Sequence, residues 1–203
     1  MEYILRNMSK QIIDLSKFIN EKAKTDKFFC QGIQEGFNKF LSNYYIGAMV
    51  DLLKKESKNK NKKIHSNVNR KYLISHFISD AAAKSIANGP KEKLIFEHII
   101  PKNIYQKKIL NEISNIDEPT IFNIIENYWL IATITSKEKI SNGNRTPLSE
   151  YEKEPFIRFK NSMNIKLRKN MFITTMQNNN FCELPQNLQS KEVNEFSPFR
   201  SSV

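Results

Sequence analysis

Cysteine is nearly absent: Cys30 and Cys182 lie far apart, with no second cysteine or histidine at metal-ligand spacing. That argues against a structural zinc site and implies no disulfide framework, so the expectation is a reducing, cytoplasmic setting. No apolar run approaches the ~20 residues needed to span a bilayer, and membrane association is not expected. The opening stretch MEYILRNMSKQIIDL lacks a cationic segment followed by an unbroken apolar core, so it does not read as a signal peptide. No internal repeat is visible. Acidic residues are in deficit: 21 Asp and Glu stand against 32 Lys and Arg, a formal charge of +11. Such an excess favours a polyanionic partner, because phosphate binding releases counterions. The length of 203 residues allows one medium domain with a small appendage.

In Glu2–Lys24, Ile4, Leu5, Met8, Ile12, Leu15 and Phe18-Ile19 recur at spacings of three and four and predict a helix with one apolar face. Thr25-Asp26 supplies N-cap chemistry for a second helix over about Lys27–Lys55, whose aromatic-rich stripe reads as core. Gly32, Gly36 and Gly47 either permit close helix approach or weaken that helix. Lys54–Asn69 is polar and basic, with six lysines (54, 55, 58, 60, 62 and 63) inside ten positions. Two readings stay open for it, a solvated linker and a phosphate-contacting loop. His65 within it reads as exposed. Val68–Ala87 predicts a third helix, with His76 at its packed edge, closed by Asn88-Gly89-Pro90. Arg70 and Lys71 extend the basic region.

The stretch Leu94–Tyr105, LIFEHIIPKNIY, is a β-prone run that sets Glu97 beside His98 and closes at Pro101. A helix over Ile104–Asn115 and a second one begun by Asp117-Glu118-Pro119-Thr120 come next. Tyr128–Thr135 predicts a strand and Ser136–Ser141 a short polar helix. Ser149–Glu154 reads as loop, Pro155–Ser162 as one or two helical turns, and Ile165–Leu167 as extended. The Gln-, Asn- and Ser-rich end reads as a poorly packed tail.

Strand, histidine, second strand, polar helix is the order of a ββα-metal unit. Glu97-His98-Ile99-Ile100-Pro101 resembles the (Asp/Glu)-His-(Ile/Val)-(Ile/Val)-Pro signature of HNH endonucleases, and Leu130–Ile140 (LIATITSKEKI) is similar to the second strand and helix of such proteins. Asn144-Arg145-Thr146-Pro147, Arg158-Phe159 and Asn164-Ile165 resemble the closing segment of that family. The likeness spans Leu94–Leu167. It implies an α+β protein, with a mainly helical N-terminal part (1–90) packed on an HNH-like ββα-metal core (91–167) and a partly disordered tail (168–203).

By the same resemblance, His98 is the general base, Glu97 a metal ligand, and Asn127 the asparagine that ties the hairpin loop together. Glu138 stands where a helix His or Asn is expected and is the preferred second ligand, with Asn142 in reserve; their oxygens suit one Mg²⁺ or Mn²⁺. Arg145, Arg158, Lys62, Lys63 and Arg70 are the candidate phosphate contacts. The expected activity is hydrolysis of DNA phosphodiesters, on double-stranded DNA, in a restriction or defence setting. A homodimer and a methyltransferase or immunity partner are the assemblies such a setting brings. The alternatives are a non-catalytic nucleic-acid-binding protein with a degenerate site, and a module whose aromatic helices dock a partner protein.

Overall fold

A computed structural model describes residues 2–23, 26–59, 69–89, 92–111, 117–139, 147–160, 165–170 and 195–196. Helix α1 (Glu2–Ala23) buries Ile4, Leu5, Met8 and Ile12, as their spacing predicts. Asp26 then accepts the backbone N–H of Phe28 (3.0 Å) at the start of α2 (Lys27–Asn59). In α2 the buried residues Leu41, Tyr45, Met49 and Leu53 fall four apart, one stripe along the helix. Each such side chain removed from water contributes about 2 kcal/mol. Added Cβ atoms at Gly36 and Gly47 would meet nothing within 4 Å, so close helix approach is not their role.

Residues Val68–Ala87 do not form one helix. The described part divides into a 3-10 turn at Arg70–Leu73, strand β1 (Phe77–Ser79) and helix α3 (Asp80–Ala87). Ser79 is the punctuation that periodicity alone does not show: its Oγ accepts the N–H of Ala82 (3.1 Å) and starts α3. Gly89 closes α3 with φ +83, as the Asn-Gly pair predicts. Strand β2 (Leu94–His98), helix α4 (Lys102–Asn111), helix α5 (Glu118–Tyr128) and strand β3 (Ile131–Thr135) come next in the chain. Asp117 accepts the N–H of Thr120 (2.8 Å), and Ile121, Ile124, Ile125 and Tyr128 form the buried face of α5. Tyr128 therefore ends this helix rather than opening β3.

After β3 comes a 3-10 turn, Ser136–Glu138, in place of the longer polar helix; residues 140–146 lie outside the described set. Residues predicted as loop form α6 (Leu148–Lys153), and α7 (Ile157–Lys160) supplies one turn where one or two are expected. Strands β4 (Leu167–Asn170) and β5 (Glu195–Phe196) complete the described elements. Of the tail, 168–203, only these short pieces are described.

The sheet order is β2-β3-β1-β4-β5, with β1 parallel to β3 and β2 antiparallel to it. Helices and this mixed sheet together make an α+β fold. The sheet takes β1 from within 1–90, so the N-terminal helical region shares one core with residues 91–167. Every residue of β3 is buried, because both faces of the sheet are covered. Helix α1 packs on α2 and α5, and Arg6 lies 4.9 Å over the Phe122 ring.

Ser79 carries two bonds, accepting from Ala82 and donating to Glu138 Oε2 (2.6 Å). Ser79→Ala removes the cap and strips a donor from a part-buried carboxylate. It is expected to lower unfolding free energy by about 2 kcal/mol in urea titration. A change within about 0.5 kcal/mol would show that these bonds contribute little.

Candidate functional site

Side chains alternate along β2, and the register assigns each a face. Glu97 pairs with Ala132, and Ala132 with Phe77, so these three project to one side of the sheet. There Phe77 meets Phe156 edge-on at 5.0 Å, which seats α7 against the sheet. Arg158 of α7 then reaches β2, with Nη2 donating to Glu97 Oε1 (3.0 Å) and Nη1 to the carbonyl oxygen of His98 (3.1 Å). Its side chain is 6% exposed and that of Glu97 24%. Arg158 is thus a clamp on the end of β2, and its buried guanidinium is not presented to phosphates as expected.

His98 points the other way. Its ring is buried edge-on to Trp129 (4.9 Å) and lies near Tyr105 (6.2 Å) and Phe96 (6.4 Å). Burial is the main reason its pKa falls well below the usual imidazole value, and the charges of Lys102, His76 and Arg158 lower it further. At pH 7 it is neutral, which suits a base, yet it lies beneath the surface. Lys102, the first residue of α4, donates to Ser42 Oγ (3.0 Å). Burial lowers the Lys102 pKa, against the raising influence of Glu97.

His76 is a second buried imidazole. The N–H of Ile131, directly opposite His98 in the β2–β3 ladder, donates to His76 Nδ1 (3.2 Å). A backbone N–H can only donate, so Nδ1 is bare and the proton sits on Nε2, 3.4 Å from Tyr45 Oη. Burial lowers the His76 pKa to about 3. Periodicity predicts this residue at a helix edge; it is instead a polar bridge inside the core.

Glu138 stands at the far end of the β2–β3 pair. Its Oε2 accepts from the Thr135 N–H (2.8 Å), Thr135 Oγ1 (3.0 Å) and Ser79 Oγ (2.6 Å). His98 pairs with Ile131 and Leu94 with Thr135, so four strand steps, about 14 Å, separate the two ends. Glu97 and Glu138 therefore do not fit a single ion in this arrangement. Among the described residues, no group of three or more His, Cys, Asp or Glu side chains could hold a metal. Asn127 is exposed on α5, and its Nδ2 donates to Asn123 O one turn back (2.8 Å), a bond within its own helix. Arg70 is exposed at the start of its 3-10 turn. Asn142, Arg145, Lys62 and Lys63 lie outside the described residues.

Two features escape sequence reading. One is the Arg158 clamp, whose signal is an arginine set among Phe156, Ile157 and Phe159. The other is the pairing of Ser79 with Glu138, 59 positions apart, for which no local signal exists. Comparison of the chain with protein-family models, curated proteins and solved structures finds no match.

The buried charges generate two predictions. Arg158→Ala leaves a part-buried carboxylate without its cation and is expected to lower stability by about 3 kcal/mol in urea titration. Glu97→Gln, which keeps an acceptor oxygen, is expected to cost less; the reverse order would mean the clamp is not an ion pair. Both His76 and His98 have folded pKa values below their unfolded ones. The unfolded chain therefore binds more protons below pH 6.5, and stability must fall as pH falls from there. Between pH 7.5 and 5.5 the unfolding free energy is expected to drop, with a slope of up to about 1.4 kcal/mol per pH unit for each histidine. Equal stability at the two pH values would show that neither imidazole is buried neutral.

Proposed function

We propose that this chain binds nucleic acid through its basic surface, with the HNH-like β2–β3 pair serving as scaffold. The observation that carries the reading is where the lysine-rich stretch begins and ends. The chain leaves α2 at Asn59 and is next described at Asn69, from which the Arg70–Leu73 turn packs back on the same helix. Exposed Lys54, Lys55 and Lys58 stand before the gap, and Arg70 and Lys71 after it. Lys60, Lys62 and Lys63 fall between them in sequence. Lys54, Lys55 and Lys58 share one side of the helix, since positions one and four apart fall within about 100°. Of these, Lys54 also pairs with Asp51 (3.1 Å). With a net charge of +11 behind it, such a surface favours the phosphate backbone of double-stranded DNA. Both acids of the motif already have partners: Glu97 is held by Arg158 and Glu138 by Ser79 and Thr135. That supports binding without cleavage.

A second reading, a metal-dependent endonuclease, is favoured by one observation. β2 ends in Glu97-His98, pairs antiparallel with β3, and β3 runs into a helical turn, which is the ββα order. The restriction or defence setting belongs to this reading.

Titration of the purified chain with a labelled DNA duplex at several salt concentrations tests the first reading. Salt-sensitive binding is expected, and Lys54→Ala/Lys55→Ala/Lys58→Ala should reduce the magnitude of the salt slope by about 1 for each lost phosphate contact. No binding at about 50 mM salt would overturn it. Plasmid incubated with Mg²⁺ or Mn²⁺, beside His98→Gln, tests the second. Cutting that the variant loses would establish the nuclease reading; intact plasmid would leave binding alone.

A further inference from the structure

On the inner side of β2, three aromatic rings meet. His98 lies 4.9 Å from Trp129 and 6.2 Å from Tyr105, and Tyr105 lies 5.6 Å from Trp129, centroid to centroid. Each carries one polar atom, His98 Nδ1, Tyr105 Oη and Trp129 Nε1. All three are buried and have no hydrogen-bond partner among the described residues. A buried polar group left unpaired is destabilising, and three together would weaken a domain substantially. Unpaired polar atoms scattered through a core would need separate explanations, but rings in mutual contact invite a shared one.

Donor and acceptor counting narrows the choice. An indole N–H can only donate, a phenol can donate or accept, and a neutral imidazole offers a bare nitrogen. Direct bonds among the three are not made, so the partner must come from outside the side-chain set. A molecule that accepts one hydrogen bond and donates two matches the set. Water does this and commonly makes about three bonds to buried polar groups.

We propose that His98 Nδ1, Tyr105 Oη and Trp129 Nε1 converge on one internal water molecule. It accepts from Trp129, donates to His98 Nδ1 and exchanges a bond with Tyr105, which leaves the His98 ring proton on Nε2. The site is independent of the nucleic-acid reading, because it faces the core and not the basic surface.

A crystal structure of the full chain that resolves waters is the direct test. Water-sized density within about 2.7–3.2 Å of at least two of the three atoms is expected. Side chains that close the gap, or a larger group between them, would overturn the proposal. In solution, oxygen-17 relaxation dispersion counts long-lived internal waters. Trp129→Phe/Tyr105→Phe, checked for fold by circular dichroism, is expected to lose one, and an unchanged count would overturn the proposal. Should the double variant fail to fold, the crystal structure of the wild-type chain decides by itself.

Discussion

Burial of β3 on both faces is the constraint on which the rest of the structure depends. A strand covered by helices on one side and by the α6–α7 segment on the other has no water for its polar groups. Thr133 Oγ1 accordingly donates to the Tyr72 carbonyl (2.9 Å), Thr135 is tied to Glu138, and the Ile131 N–H finds His76. Two of these partners come from the Tyr72–His76 segment just before β1 and the third from the turn that follows β3. The polar residues around the sheet are therefore recruited to satisfy β3 and its neighbours before any is free for chemistry.

That recruitment explains why the HNH-like motif reads differently in three dimensions. Adjacent residues on a strand face opposite ways, so Glu97 and His98 separate at once. Glu97 goes to the side of α7, where Arg158 neutralises it and also holds the strand end through the His98 carbonyl. His98 goes to the side of Trp129 and Tyr105, where its aromatic ring packs well and its charge is disfavoured. Glu138 is a stop signal for β3, set at the opposite end of the pair. The motif thus works as architecture: a turn at Pro101, a clamp at Glu97 and a core ring at His98. Of the described basic residues, Lys54 pairs with Asp51 and Lys71 lies over the Tyr72 ring, while Lys54, Lys55 and Lys58 stay exposed, and the nucleic-acid reading rests on that exposed charge.

Local patterns were legible wherever one face of an element decided its conformation. The α1 stripe, the Leu41–Leu53 stripe of α2, the Asp26 and Asp117 caps and the Asn88-Gly89 stop all arise from spacing and cap chemistry. Legibility failed at Val68–Ala87, where Phe77-Ile78 continues the helical spacing of Tyr72-Leu73 and Ala81-Ala82. Phe77 and Ile78 are buried because β1 is an interior strand, with β3 on one side and β4 on the other, and buried strands lose the alternation that would distinguish them. It failed also at Ser149–Glu154, where Tyr151 is wholly buried within a short helix among charged neighbours.

By itself the sequence determined helices α1 and α2, the strand character of Leu94–His98 and Ile131–Thr135, and the cationic excess, since each depends on neighbouring residues or on composition. Only the tertiary structure decided which side chains share a site. Glu97 meets Arg158 across 61 positions and Ser79 meets Glu138 across 59, and Glu138, in the turn that follows β3, is kept at the opposite end of the strand pair from His98. Strand direction and register set those encounters, and they are fixed by burial on two faces at once, which no local pattern encodes.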